Sequence, residues 1–151
     1  MTKNISMTPR YWLTLADCEK LLTDFRTLLS LKEPIPPFEK RYPDKLEGIL
    51  GSVEQTFDGQ FLNPIVLDAA AAYFNQFVRG HAFENGNKRC AVLFTHFFLL
   101  TNGVDLTLSP EEMYNFAVLI ARAGEDKVSP GVTKEWCIQI LREFSKDIDS
   151  D

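Results

Sequence analysis

From Thr14 onward, apolar residues fall three and four apart: Leu15, Cys18, Leu21, Leu22, Phe25, Leu28 and Leu29. That spacing predicts an amphipathic helix, with Thr14 and Asp17 placed to cap its first turn. Pro34, Pro36 and Pro37 stop it, because a proline lacks an amide hydrogen and restricts the residue before it. A second helix is expected from Pro43, carrying Leu46, Ile49, Leu50, Val53 and Phe57 on one face and ending at Asp58-Gly59. Asn63-Pro64 opens a third, alanine-rich helix that turns Ala69, Ala70, Tyr73, Phe74 and Phe77 to a core and closes after Arg79 at Gly80. Residues 81–86 are polar and turn-like. Asn87 to Thr101 is apolar on nearly every side, which predicts a buried central helix ended by Asn102-Gly103.

Ser109-Pro110-Glu111-Glu112 is a capping box with proline at the first helical position, ahead of Met113, Phe116, Ala117 and Ile120. A last helix is expected from about Thr133 through Trp136, Ile140 and Phe144, with a frayed tail SKDIDSD behind it. Strand signals are scarce. The pattern predicts an all-α fold of about six helices packed around residues 87–101, with room for a short β-hairpin between Phe57 and Phe61. The chain divides into an N-terminal helical extension (1–40), one main domain (41–147) and a frayed end (148–151).

At 151 residues the chain is one domain's length, and 45% hydrophobic with 25% charged residues is the balance of an ordinary globular protein. Acidic residues outnumber basic ones 21 to 16, for a net charge of −5, so a general nucleic-acid surface is not expected and any anion site must be local. Cys18, Cys90 and Cys137 are widely spaced, and only two histidines accompany them. This argues against a disulfide framework or a zinc site and fits a reducing cytoplasm. The first residues, MTKNISMTPRYW, lack an apolar leader core, and no stretch approaches the roughly 20 apolar residues of a membrane span. Neither export nor a membrane partner is expected.

Candidate chemistry concentrates in His81-Ala82-Phe83-Glu84-Asn85-Gly86-Asn87-Lys88-Arg89. Gly86, Asn87 and Lys88 stand where the central helix begins, at the positive end of its dipole, which suits phosphate oxygens. Lys88 adds a charge, Arg89 adds a planar fork for phosphate, and His81 can accept a proton near neutral pH. Each of these residues alone fits an ordinary polar loop between helices. Their joint spacing does not. His96, among Phe94, Phe97 and Phe98, is expected to be a satisfied core histidine, and Cys90 a small buried apolar residue.

The nonapeptide resembles the motif of the Fic/Doc superfamily, H-x-F-x-[D/E]-[G/A]-N-[G/K]-R, and Lys88 is similar to the Doc (death-on-curing) branch. Leu46–Val53, Asn102-Gly103, Ala121–Glu125 and Trp136 also look like Doc elements, so the resemblance covers about residues 46–136. It implies a single Fic/Doc-type (Fido) helical bundle that transfers part of a nucleotide to a hydroxyl of a protein. On this resemblance His81 is the general base and Phe83 the loop anchor. Gly86, Asn87 and Lys88 form the anion hole, Arg89 pairs with phosphate, and ATP and Mg2+ are the cofactors.

Typical Fic adenylyltransferases carry glycine at the position of Lys88 and a second arginine at that of Val92. The two departures shared with Doc imply phosphoryl transfer from ATP to a cytoplasmic target such as a translation factor, with an antitoxin protein acting in trans. Asn85 stands where the family has its acidic metal ligand, one residue after Glu84. That leaves two alternatives beside the kinase-like toxin: AMP transfer, and a catalytically weak nucleotide-binding module. The self-inhibitory pattern [S/T]-x-x-x-E-[G/N] finds its nearest match at Glu47-Gly48, where Pro43 replaces the hydroxyl residue.

Overall fold

A computed structural model describes residues 3–25 and 35–148. Besides two short 3-10 turns at Asn4–Ser6 and Phe38–Lys40, the described residues form six α-helices and two short strand pairs: α1 (Leu15–Phe25), α2 (Lys45–Val53), β1 (Thr56–Phe57), β2 (Gln60–Phe61), α3 (Val66–Arg79), α4 (Asn87–Thr101), β3 (Val104–Leu106), α5 (Pro110–Glu125), α6 (Pro130–Glu143) and β4 (Ser145–Asp147). The helical bundle expected from the sequence is present. Leu28, Leu29 and Pro34, expected to finish and stop the first helix, lie outside the described residues, as do residues 149–151.

α3 and α4 form the buried pair at its centre. Four successive alanines, Ala69 to Ala72, are buried and let neighbouring helices approach α3 closely, while Tyr73, Phe74 and Phe77 fill the space around them. Phe77 meets Phe94 of α4 edge-on at 5.1 Å, and Tyr73 meets Phe98 in the same way at 4.9 Å. Aromatic pairs of this geometry add to the burial of the rings themselves. The Tyr73 hydroxyl accepts the Leu13 amide at 3.1 Å, fixing the segment that enters α1.

Two capping boxes stand where the sequence placed them. Thr14 and Asp17 exchange backbone-to-side-chain bonds of 2.9 and 3.1 Å at the start of α1, and Ser109 and Glu112 do so at α5. Asp58 and Gly59, at φ 56° and 80°, make the left-handed two-residue turn that matches strand twist in a hairpin, and Thr56–Phe57 pairs with Gln60–Phe61.

The structure corrects several details. α2 starts after Pro43 with Asp44 at its N-cap, so the proline sits in the preceding turn. Phe57 belongs to β1 and is 76% exposed, because α2 ends at Val53 before its period reaches that far. α6 begins at Pro130 under a Ser129 cap, and its buried stripe is Thr133, Cys137 and Leu141, leaving Trp136 outward. Both stripes have helical spacing, and the small side chains of the first allow contact with α3. The tail does not fray at residue 145: Ser145–Asp147 pairs antiparallel with Val104–Leu106. His96 is half-buried rather than enclosed, on a largely apolar cleft between α1 and α4 lined by Leu21, Phe25, Leu93, Phe97 and Leu100. Partial burial holds its pKa below the ordinary value, against the opposing pull of Asp105. Cys18, Cys90 and Cys137 are all buried, and burial pushes the Cys18 and Cys137 thiols up to about 12.

Candidate active site

The loop between α3 and α4 begins at Gly80, whose amide donates to the Gln76 carbonyl at 2.7 Å. A side chain is excluded there, since a Cβ would lie 2.6 Å from that carbonyl oxygen and 3.0 Å from Ile49 Cδ1. His81 follows at φ 51°, a left-handed conformation uncommon outside glycine and one that concentrates at functional sites. Ala82 and Phe83 then turn inward, with Phe83 almost fully buried, and Glu84 and Asn85 return to the surface. Gly86, at φ 79°, brings the chain into α4.

Asn87 closes this loop on itself. Its Oδ1 accepts the Phe83 amide at 3.0 Å, and its Nδ2 donates to the Phe83 carbonyl at 2.7 Å. The side chain is therefore committed to holding the loop, and the helical ladder starts from Cys90 N–H on the Gly86 carbonyl at 3.0 Å. The positive end of the α4 dipole opens here.

A cleft of about 400 Å3 lies over this end of α4. His81, Glu84, Asn85, Gly86, Asn87 and Lys88 all line it, so six of the eight expected or neighbouring loop positions share one surface. Phe83 and Arg89 lie beneath. Arg89 is only 2% exposed, and its guanidinium carbon sits 4.1 Å from the centre of the Tyr114 ring on α5. Two positions along a helix from Asn87, its side chain leaves on the opposite side of α4 and points into the bundle.

The far wall was not among the sequence candidates. Arg79, Ala121, Gly124 and Glu125 supply it from the ends of α3 and α5. Arg79 is oriented by a bond from Nη1 to Thr133 Oγ1 at 2.9 Å, and the Thr133 hydroxyl in turn donates to Asn75 Oδ1 at 2.7 Å. Gly124 leaves room for this guanidinium, since a Cβ there would stand 3.2 Å from Arg79 Nε. The available signal was Arg79-Gly80 directly ahead of His81, together with the Ala121–Glu125 stretch already matched as a motif. The finished cleft carries two basic side chains, Arg79 and Lys88, and two acidic ones, Glu84 and Glu125.

No group of three or more metal-ligating side chains occurs among the described residues. The oxygens near the loop are the Glu84 carboxylate and the Asn85 amide. One carboxylate and one neutral oxygen suit a magnesium ion completed by nucleotide phosphates and water, which needs only one or two protein ligands. They do not make a protein cage.

The helical bundle thus opens a histidine and the positive end of its central helix onto one cleft. A model of the Fic/DOC family matches residues 15–99, more than half of the chain, and the protein belongs to that family. Its members generally transfer nucleotide-derived groups to proteins. The match takes in α1, upstream of residue 46 where the resemblance was drawn from motifs, and ends within α4. No curated protein matches the chain. None of the described helices is long and apolar enough to cross a membrane.

Proposed function

We propose that this member transfers the γ-phosphoryl group of ATP to a hydroxyl side chain of a protein. The observation that carries the reading is Lys88 on the cleft wall beside His81, at the mouth of α4. A lysine there fills the space that a glycine would leave for the phosphate chain and puts a positive charge at the reacting end. The exposed His81 imidazole takes the proton of the target hydroxyl as its oxygen attacks the γ-phosphorus. The bond to the bridging oxygen breaks and ADP leaves. Lys88 and the α4 dipole stabilise charge on the transferred group, and Arg79 adds a second positively charged side chain. A magnesium ion, held by Glu84 and Asn85 together with the nucleotide, would neutralise phosphate charge.

The target on this reading is a cytoplasmic protein such as a translation factor. Control comes from an antitoxin partner in trans, since Glu47 is engaged with Arg41. Asn85, at the cleft without a charge, favours a second reading as a nucleotide-binding module with little turnover.

Incubation of a target extract with γ-labelled and α-labelled ATP separates the chemistries. Label from the γ position alone is expected, and Asn85→Asp should raise the yield by restoring a charge beside the metal. Label from the α position alone would establish nucleotidyl transfer. No label from either protein, with ATP still bound, would establish the binding module.

A further inference from the structure

His81 holds a backbone conformation that a non-glycine residue keeps only where its surroundings over-determine it. On the upstream side the restraint is Gly80 on Gln76, and downstream it is the Asn87 side chain on Phe83. Between them comes a tie from far upstream: Tyr42 N–H donates to the Ala82 carbonyl at 2.8 Å. Ala82 is the residue that follows His81.

Tyr42 is itself held. Pro43 restricts it to extended backbone, which limits where its amide can point. Its other neighbour, Arg41, is clamped from both sides. The guanidinium reaches Glu47 through Nη2 at 3.1 Å and Nε at 3.4 Å, and the Phe38 carbonyl through Nη1 at 3.4 Å. Its carbon lies 4.1 Å from the centre of the Phe38 ring. Glu47 stands in the first turn of α2, whose Leu46, Ile49, Leu50 and Val53 are buried in the bundle. The Arg41 pair holds the Glu47 carboxyl below the usual range.

We infer that the corner Arg41-Tyr42-Pro43 is a positioning element for His81. It transmits the rigidity of α2 through the Arg41–Glu47 pair and the Tyr42–Ala82 bond to the strained residue that faces the cleft. The inference rests on the reading of His81 as the base, and it gives Glu47, which the sequence left without an inhibitory role, a supporting one. Arg41, Tyr42 and Glu47 touch no substrate in this scheme. They act on the proton acceptor and leave the nucleotide-binding wall alone.

The test compares the native chain, Arg41→Ala, and the exchanged pair Arg41→Glu with Glu47→Arg. Two properties of the free protein are read first by NMR: hydrogen exchange at the Tyr42 amide, and the His81 Cα and Cβ chemical shifts, which follow its φ. Arg41→Ala should speed Tyr42 exchange by about fivefold, the scale of a partly exposed ion pair, and move the His81 shifts. The same variant should lower kcat for label transfer with KM for ATP unchanged, and the exchanged pair should restore most of both changes. Unaltered Tyr42 exchange and His81 shifts in Arg41→Ala would overturn the inference. So would a rise in KM matching the fall in kcat, which marks general damage to the cleft. If the native chain transfers no label, the phosphoryl-transfer reading falls, while exchange and shifts still decide whether this corner positions His81.

Discussion

At its N-terminal end α4 begins beyond Gly86, φ 79°, and Asn87 turns its side-chain amide onto the backbone of Phe83. At its C-terminal end it stops before Gly103, φ 78°, and Asn102 turns its side-chain amide onto backbone as well. The local parts match. Their surroundings do not. Asn102 accepts the amides of Arg10 at 2.8 Å and Tyr11 at 3.3 Å and donates to the carbonyls of Tyr11 and Phe98, so the segment ahead of α1 seals that end. Asn87 spends its bonds within its own loop, and a cleft remains above that end. An asparagine and a left-handed glycine thus stand at a helix end in both cases, and the segment ahead of α1 seals one end while the other opens on a cleft.

The difference is broken most severely from the open end. His81→Ala should reduce phosphoryl transfer by about 100-fold to 10,000-fold, the usual contribution of a positioned base, with little change in melting temperature. Retention of near-native transfer would remove His81 from the mechanism. At the sealed end, Asn102→Ala leaves the Arg10 and Tyr11 amides without their acceptor, and a loss of about 2–3 kcal/mol is expected in urea unfolding. A change under ~0.5 kcal/mol would show that the segment ahead of α1 contributes nothing to the seal.

The smallest effect concerns pH at the same sealed end. The Asp147 carboxylate accepts the amides of Asn4 and Lys3, each at 2.9 Å, and these bonds hold its pKa below the ordinary 3.8. A carboxyl depressed on folding stabilises the native state above its ordinary pKa, and the contribution disappears as pH falls through the lowered folded value. Asp147→Asn should therefore melt below the native protein near neutral pH, and the two curves should converge as pH falls below the lowered folded value of Asp147. Parallel curves across that range would place the difference elsewhere.

How much of this was legible along the chain depended on the range of the interaction. The α4 ends and the Thr14–Asp17 and Ser109–Glu112 boxes are set by neighbours within a few residues, and they stand where the pattern put them, whereas Asp58-Gly59, expected to end α2, makes the hairpin turn after α2 has stopped at Val53. Trp136 was misplaced because α6 carries two stripes of equal period, and only contact with α3 chooses between them. The β3–β4 pair joins residues about forty positions apart, with no alternation long enough to announce it. Within the cleft, the motif placed His81 and Gly86 to Lys88 together because one turn and one helix start bring them there. Arg79, Gly124 and Glu125 come from two other helix ends.

The sequence by itself determined the helices, their caps, and the loop that delivers a histidine to the start of a buried helix. Those are consequences of backbone hydrogen bonding and hydrophobic period, which act over one or two turns. Only the tertiary structure decided that Arg89 packs under the cleft on Tyr114, that Arg79 forms its far wall, and that Tyr42 reaches Ala82 beside the strained His81. These placements depend on which helix faces meet, and close packing settles that for the whole bundle at once rather than residue by residue.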